Sequence, residues 1–201
     1  MEIDPEFLEM LNTVLDESVQ KYKNTTDKSI ELFRMSFIKK FIEDVWLLND
    51  LKMDNSCYKR TVYLILRNML EQLIEFIYLQ KNPQYIEEYL GEQVDTVPFF
   101  DELHDIVKMS RALGKQRYIS NRPLISSMAK SIGEYDSETG SLSLYDLYIV
   151  LSETCHNSYY MSLIDEYNSA NKADNAGPTS SNQKNILVFM INVVLQKYNN
   201  N

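Results

Sequence analysis

Two pairs of side chains in this sequence have the types and spacing to do chemistry: Arg67 with Glu71, and Ser152 with His156. Each pair is four residues apart, so on a helix its members share a face. An arginine steadied by a carboxylate is a permanently charged, planar donor suited to phosphate. A histidine is the side chain best placed to move protons near neutral pH. In this arrangement Arg67 would hold a phosphate and His156 would act as general acid or base. Glu71 and Ser152 would orient them.

The stretch LSETCHNSYY, residues 151–160, contains His156, one of only two histidines in the chain, and Cys155 beside it. A Ser–His pair can activate a nucleophile, but no glycine-rich elbow or oxyanion-type loop accompanies this one, so serine-hydrolase chemistry is not indicated.

Helices must position these groups. In TVYLILRNMLEQLIEFIYL, residues 61–79, Val62, Leu66, Met69, Leu70, Leu73 and Ile77 gather on one stripe when wound at about 100° per residue. Asn68, Gln72 and Glu75 fall opposite. Arg67 and Glu71 fall on the flank, inside an arc that also holds Tyr63, Leu64, Ile74 and Tyr78. Charges placed there need partners. On the later helix, Tyr145, Ser152 and His156 share a similar flank beside the stripe Leu144, Leu147, Leu151 and Cys155. If the two flanks meet, the imidazole could pair with a carboxylate such as Glu71.

Periodicity and caps predict helices along most of the chain. They run from Asp4-Pro5 through Tyr22, from Thr26 to Asn49, and from Cys57 to Gln80 behind an Asp54-Asn55-Ser56 cap. A short one follows Asn82-Pro83, then others span Phe99 to Leu113 and Asn121-Arg122-Pro123 to Gly133. After the polar loop EYDSETGS (134–141), a Ser143-capped helix runs to about Tyr167, with a bend near His156, and a last one covers Gln183 to Tyr198. The stretch 168–182, NSANKADNAGPTSSN, reads as a mobile tether. No segment alternates with period two, so no sheet is expected. The fold class predicted is all-α, one bundle domain over 1–201 with about seven to eight helices.

Composition excludes several classes. The net charge of −9 over 201 residues argues against general nucleic-acid coating. The sign is uneven: Lys108, Arg111, Lys115, Arg117 and Arg122 form a basic run without an acid, a candidate surface for a substrate backbone, with Tyr159 as an added contact. Cys57 and Cys155 lack metal or disulfide spacing, and a lone Glu153-x-x-His156 does not make a di-metal site. No metal or other cofactor is implied. No run of about 18 apolar residues is present and MEIDPEF is acidic, so neither a membrane span nor a signal peptide is expected. The expected setting is cytoplasmic. Phe99-Phe100 and LVFMINVVL (187–195) are apolar enough to serve a homodimer.

RNMLEQLIEFIYL (67–79) and LYDLYIVLSETCHNSYY (144–160) resemble a family of bacterial helical proteins of unknown function, over roughly residues 55–160. That family pairs Arg-x-x-x-Glu in a long helix with Ser-x-x-x-His in a later one, which matches Arg67, Glu71, Ser152 and His156. It is distantly similar to the HEPN superfamily of small helical bundles, many of which are metal-independent ribonucleases of toxin, abortive-infection and CRISPR systems. The HEPN signature is an Arg followed four to six residues on by a His in the same helix. Arg67-Asn68 matches its start, but Gln72, Leu73 and Ile74 stand at positions 72–74, and no Arg stands five to seven residues before His156. The resemblance thus implies RNA or nucleotide chemistry only if His156 supplies the imidazole from another helix. Otherwise the four residues form a polar network fixing helix register in a non-catalytic protein that works through a protein partner.

Overall fold

Asp4 and Pro5 start the first helix. The Asp4 carboxylate accepts a hydrogen bond from the Glu6 N–H at 3.1 Å, and Pro5 occupies a first-turn position that has no donor to satisfy. The computed structural model describes residues 3–26, 28–51, 58–94, 123–137, 140–156 and 181–199. Their element order is α1 (Pro5–Asn24), α2 (Lys28–Asp50), α3 (Lys59–Lys81), a 3₁₀ turn (Pro83–Tyr85), α4 (Ile86–Val94), α5 (Ile125–Ile132), β1 (Glu134–Ser137), β2 (Gly140–Ser143), α6 (Leu144–His156) and α7 (Ser181–Asn199). Among these residues, no helix is long and apolar enough to cross a membrane. The segments expected at 54–56, 99–113 and 157–167 lie outside the described residues, as do His104, Cys57, Phe99 and Phe100 and all of the expected tether 168–182 except Ser181 and Asn182, which begin α7.

α1 and α2 pack together, and the Ile3 N–H donates to Asn49 Oδ1 at 3.1 Å, so the start of α1 lies beside the end of α2. α3 is the central helix, in contact with α2, α5, α6 and α7. Its sequence explains the position: Val62, Leu66, Met69, Leu70 and Leu73 are fully buried, and Tyr63 and Ile74 bury a second stripe beside the first. A helix apolar over so wide an arc must be covered on more than one side. Phe76 projects from α3 into an aromatic stack. Its ring lies 3.9 Å from that of Phe37, nearly parallel, and 5.4 Å from both Phe33 and Tyr198. Tyr198 closes the stack from α7, and its hydroxyl donates to the Arg34 carbonyl oxygen at 2.7 Å. Burial holds that phenol well above its ordinary range. α7 spends its apolar face on its own chain: Leu187, Phe189, Met190, Ile191, Val193 and Val194 are all buried. The stretch 187–195 is therefore core, not the free dimer face its composition suggested.

The expectation of no sheet is wrong. The segment 134–141, expected to be a loop, supplies most of a two-stranded antiparallel hairpin that extends to Ser143, with Tyr135 opposite Leu142 and Ser137 opposite Gly140. Each strand has four residues and one apolar side chain aimed at the core, too few to show period-two alternation. What holds the hairpin is burial of Tyr135 and the packing of Leu142 against the core. Gly133 joins α5 to β1 at φ 96°, a region that side chains other than glycine rarely adopt. No atom lies within 4 Å of where a Cβ would stand. Gly133→Ala should therefore cost about 1–3 kcal/mol from backbone strain alone. Urea denaturation reads this directly, and an unchanged midpoint would show that the turn relaxes to negative φ.

Candidate functional site

α3 and α6 lie side by side, and this contact brings the two polar flanks together. On α6, Ser143 caps the start: its Oγ accepts from the Tyr145 N–H at 3.2 Å and from the Asp146 N–H at 3.4 Å. Leu144, Leu147, Leu151 and Cys155 then face the core, which turns His156 outward along the α3 flank. On α3, Arg67 stands one turn before Glu71. Its Nε donates to Glu71 Oε1 at 3.1 Å, and its Nη2 lies 3.0 Å from the same oxygen. The third nitrogen, Nη1, is 2.8 Å from Nε2 of His156, 89 residues away in the chain.

A carboxylate such as Glu71 was the candidate partner for the imidazole; it pairs with Arg67 instead. A guanidinium is donor-only, so a hydrogen bond across this contact requires Nε2 of His156 to be the acceptor. Burial works to lower the Arg67 pKa, but the charge and hydrogen bond of Glu71 outweigh it, so the net direction is up. Arg67 thus keeps its charge in a site that is open on one side. Its side chain is 23% exposed, that of Glu71 30%, and His156 is exposed. Among the described residues its acceptors are Glu71 and His156, fewer than the five N–H bonds of a guanidinium. The walls are mixed: Tyr63 and Ile74 are buried and Tyr78 half-buried, but Leu64 is exposed rather than part of an apolar lining.

Ser152 does not join the network. Its Oγ is buried and has no hydrogen-bond partner among the described residues. By contrast, Thr154 on the same helix turns its hydroxyl back to the Val150 carbonyl oxygen at 2.7 Å. The Ser–His dyad is therefore not formed, and the imidazole lone pair is engaged by Arg67. Two neighbours were not anticipated. Arg60 lies two turns before Arg67 on α3, near enough to act on the Cys155 thiol, and Tyr148 on α6 is near enough to act on Arg67. The i,i+7 spacing of Arg60 and Arg67 was the available signal. Lys108, Arg111, Lys115, Arg117, Arg122 and Tyr159 lie outside the described residues. Among the described residues, no group of three or more His, Cys, Asp or Glu side chains is placed to hold a metal ion.

Comparison with protein-family models, curated proteins and solved structures finds no match for this chain. The chemistry of the site must therefore be read from its own geometry.

Cys155, next to His156 on α6, is buried. Burial pushes its thiol pKa up, with Glu71 adding to the shift and Arg67 and Arg60 opposing it. The folded chain therefore holds the protonated thiol more firmly than the unfolded chain does. That contribution to stability is present below the unfolded pKa and is lost as pH rises through the higher folded value. Iodoacetamide labelling of Cys155, mapped by mass spectrometry, should be slow in native protein at about pH 8.5 and rapid in urea. Equal rates in the two states would contradict a buried, protonated thiol.

Proposed function

We propose that this is a HEPN-like helical protein of a bacterial antiviral or toxin–antitoxin system that binds a phosphate of RNA or a nucleotide at Arg67 and His156 and acts as a metal-independent ribonuclease. The observation that carries the reading is the 2.8 Å contact between Arg67 Nη1 and His156 Nε2. It supplies from α6 the imidazole that the arginine helix lacks. An arginine and an imidazole beside it are the minimum equipment for holding a phosphodiester and moving a proton. Glu71 positions the guanidinium. The basic run from Lys108 to Arg122 is proposed to hold the rest of the substrate backbone, and Tyr159 to stack against it.

A second reading has its own support. Arg67, Glu71 and His156 satisfy one another, as a register-fixing network in a non-catalytic interaction protein would. Expression of wild type and His156→Ala in a bacterial host, with growth and RNA integrity followed together, separates the two. Toxicity with RNA cleavage by the wild type, lost in an equally stable variant, supports the ribonuclease. Harmless expression of both, with a lowered melting temperature for His156→Ala, supports the network.

A further inference from the structure

Arg67 and His156 are each other's hydrogen-bond partners, and one proton decides whether they can be. The contact exists only while Nε2 of His156 carries a lone pair, because a protonated ring and a guanidinium are both donors. Glu71 already holds the Nε and Nη2 side of the guanidinium, so an oxyanion that binds Arg67 through two oxygens must use Nη1 and there competes with the imidazole. Once displaced, Nε2 faces a negative ligand instead of a cation, and an opposite charge close by favours the protonated ring. His156 is exposed, so the proton can come from solvent.

The other charges around α6 do not decide the exchange. α3 contributes Arg60, Arg67, Glu71 and the phenol of Tyr63. α5 contributes Lys130, which lies over the Tyr145 ring at 4.6 Å. α6 itself adds Glu153, Cys155 and Tyr148, and β2 has no titratable side chain. Beside Arg67 itself, these are two cations, Arg60 and Lys130, and two acids, Glu71 and Glu153. The change of partner at Nε2 is the event that alters the imidazole's surroundings.

We propose that the site binds a phosphodiester-type oxyanion by exchange: the anion takes Nη1 of Arg67 from His156, and His156 takes up one proton in the same event. This rests on the phosphate-binding reading above and adds to it a proton linkage. Affinity then weakens as pH rises, by up to about tenfold per pH unit across the range where the imidazole titrates. A ribonuclease built this way would meet its substrate with a neutral base and hold it with a charged acid.

The test is isothermal titration calorimetry on the full chain with two probes, sulfate and a ribodinucleotide containing one phosphodiester. Neither probe titrates between about pH 5 and 8, so any linked proton belongs to the protein. Measurements in two buffers of different ionisation heat count the protons. The expected result is about one proton taken up per anion bound, an affinity that falls with rising pH, and a flat pH profile for His156→Gln. Binding by the wild type without proton uptake would overturn the exchange and leave the phosphate-binding reading standing. Proton uptake that persists in His156→Gln would also overturn it, by placing the proton elsewhere. Failure of both probes to bind at any pH in this range would overturn the reading and the exchange together.

Discussion

Replacing Phe76 with alanine is expected to cost about 3–5 kcal/mol. Phe76 is 1% exposed, and its ring is stacked against Phe37 and Tyr198 and tilted against Phe33. Deleting it removes buried apolar area and leaves a gap lined by rings. Aromatic rings collapse into such a gap poorly, because their rotamers are few and their planes already packed. The residue also joins three helices: Phe33 and Phe37 lie on α2, Tyr198 on α7, and Phe76 itself on α3. The loss should therefore appear as a lower urea midpoint with an unchanged slope, since the whole core unfolds as before. A cost below about 1 kcal/mol would mean that Phe37 and Tyr198 close the gap on each other, and that the stack is less constrained than its geometry indicates.

The stripe of Val62, Leu66, Met69, Leu70, Leu73 and Ile77 was legible in the sequence, although Phe76, buried beside it, was not part of it. α3 runs for 23 residues, long enough for a 3.6-residue period to declare itself, and Val62 through Ile77 fall inside as that period requires. The hairpin at 134–143 was not legible, because four-residue strands carry too few apolar positions to show any period. The site was legible in part. Periodicity put Arg67 and His156 each on a polar flank, but the rotation of one helix against another is set by packing, which no single helix encodes. The partner of the imidazole was misjudged for that reason. Ser152 was misjudged for a different one: its position on the helix fixes where its Cα–Cβ bond points, but not which rotamer the hydroxyl takes.

The same reasoning sets the second large effect, at Arg67. Arg67→Lys should leave the fold nearly intact while weakening phosphate or RNA binding by about tenfold to a hundredfold. Lysine keeps the charge and can still pair with Glu71 across one helical turn. It cannot keep the arginine geometry, in which Nε and Nη2 meet Glu71 Oε1 while Nη1 meets His156 Nε2. An ammonium is a point donor rather than a planar fork, so either the imidazole or the ligand loses its partner. The stability change should be small, since a partly exposed ion pair contributes about 1 kcal/mol or less. A structural network makes the opposite forecast. If the cluster served only to fix helix register, the exchange to lysine would lower the urea midpoint and change no binding or cleavage readout. Measuring both quantities on one variant therefore distinguishes a site that uses its charge on a ligand from one that uses it on the fold.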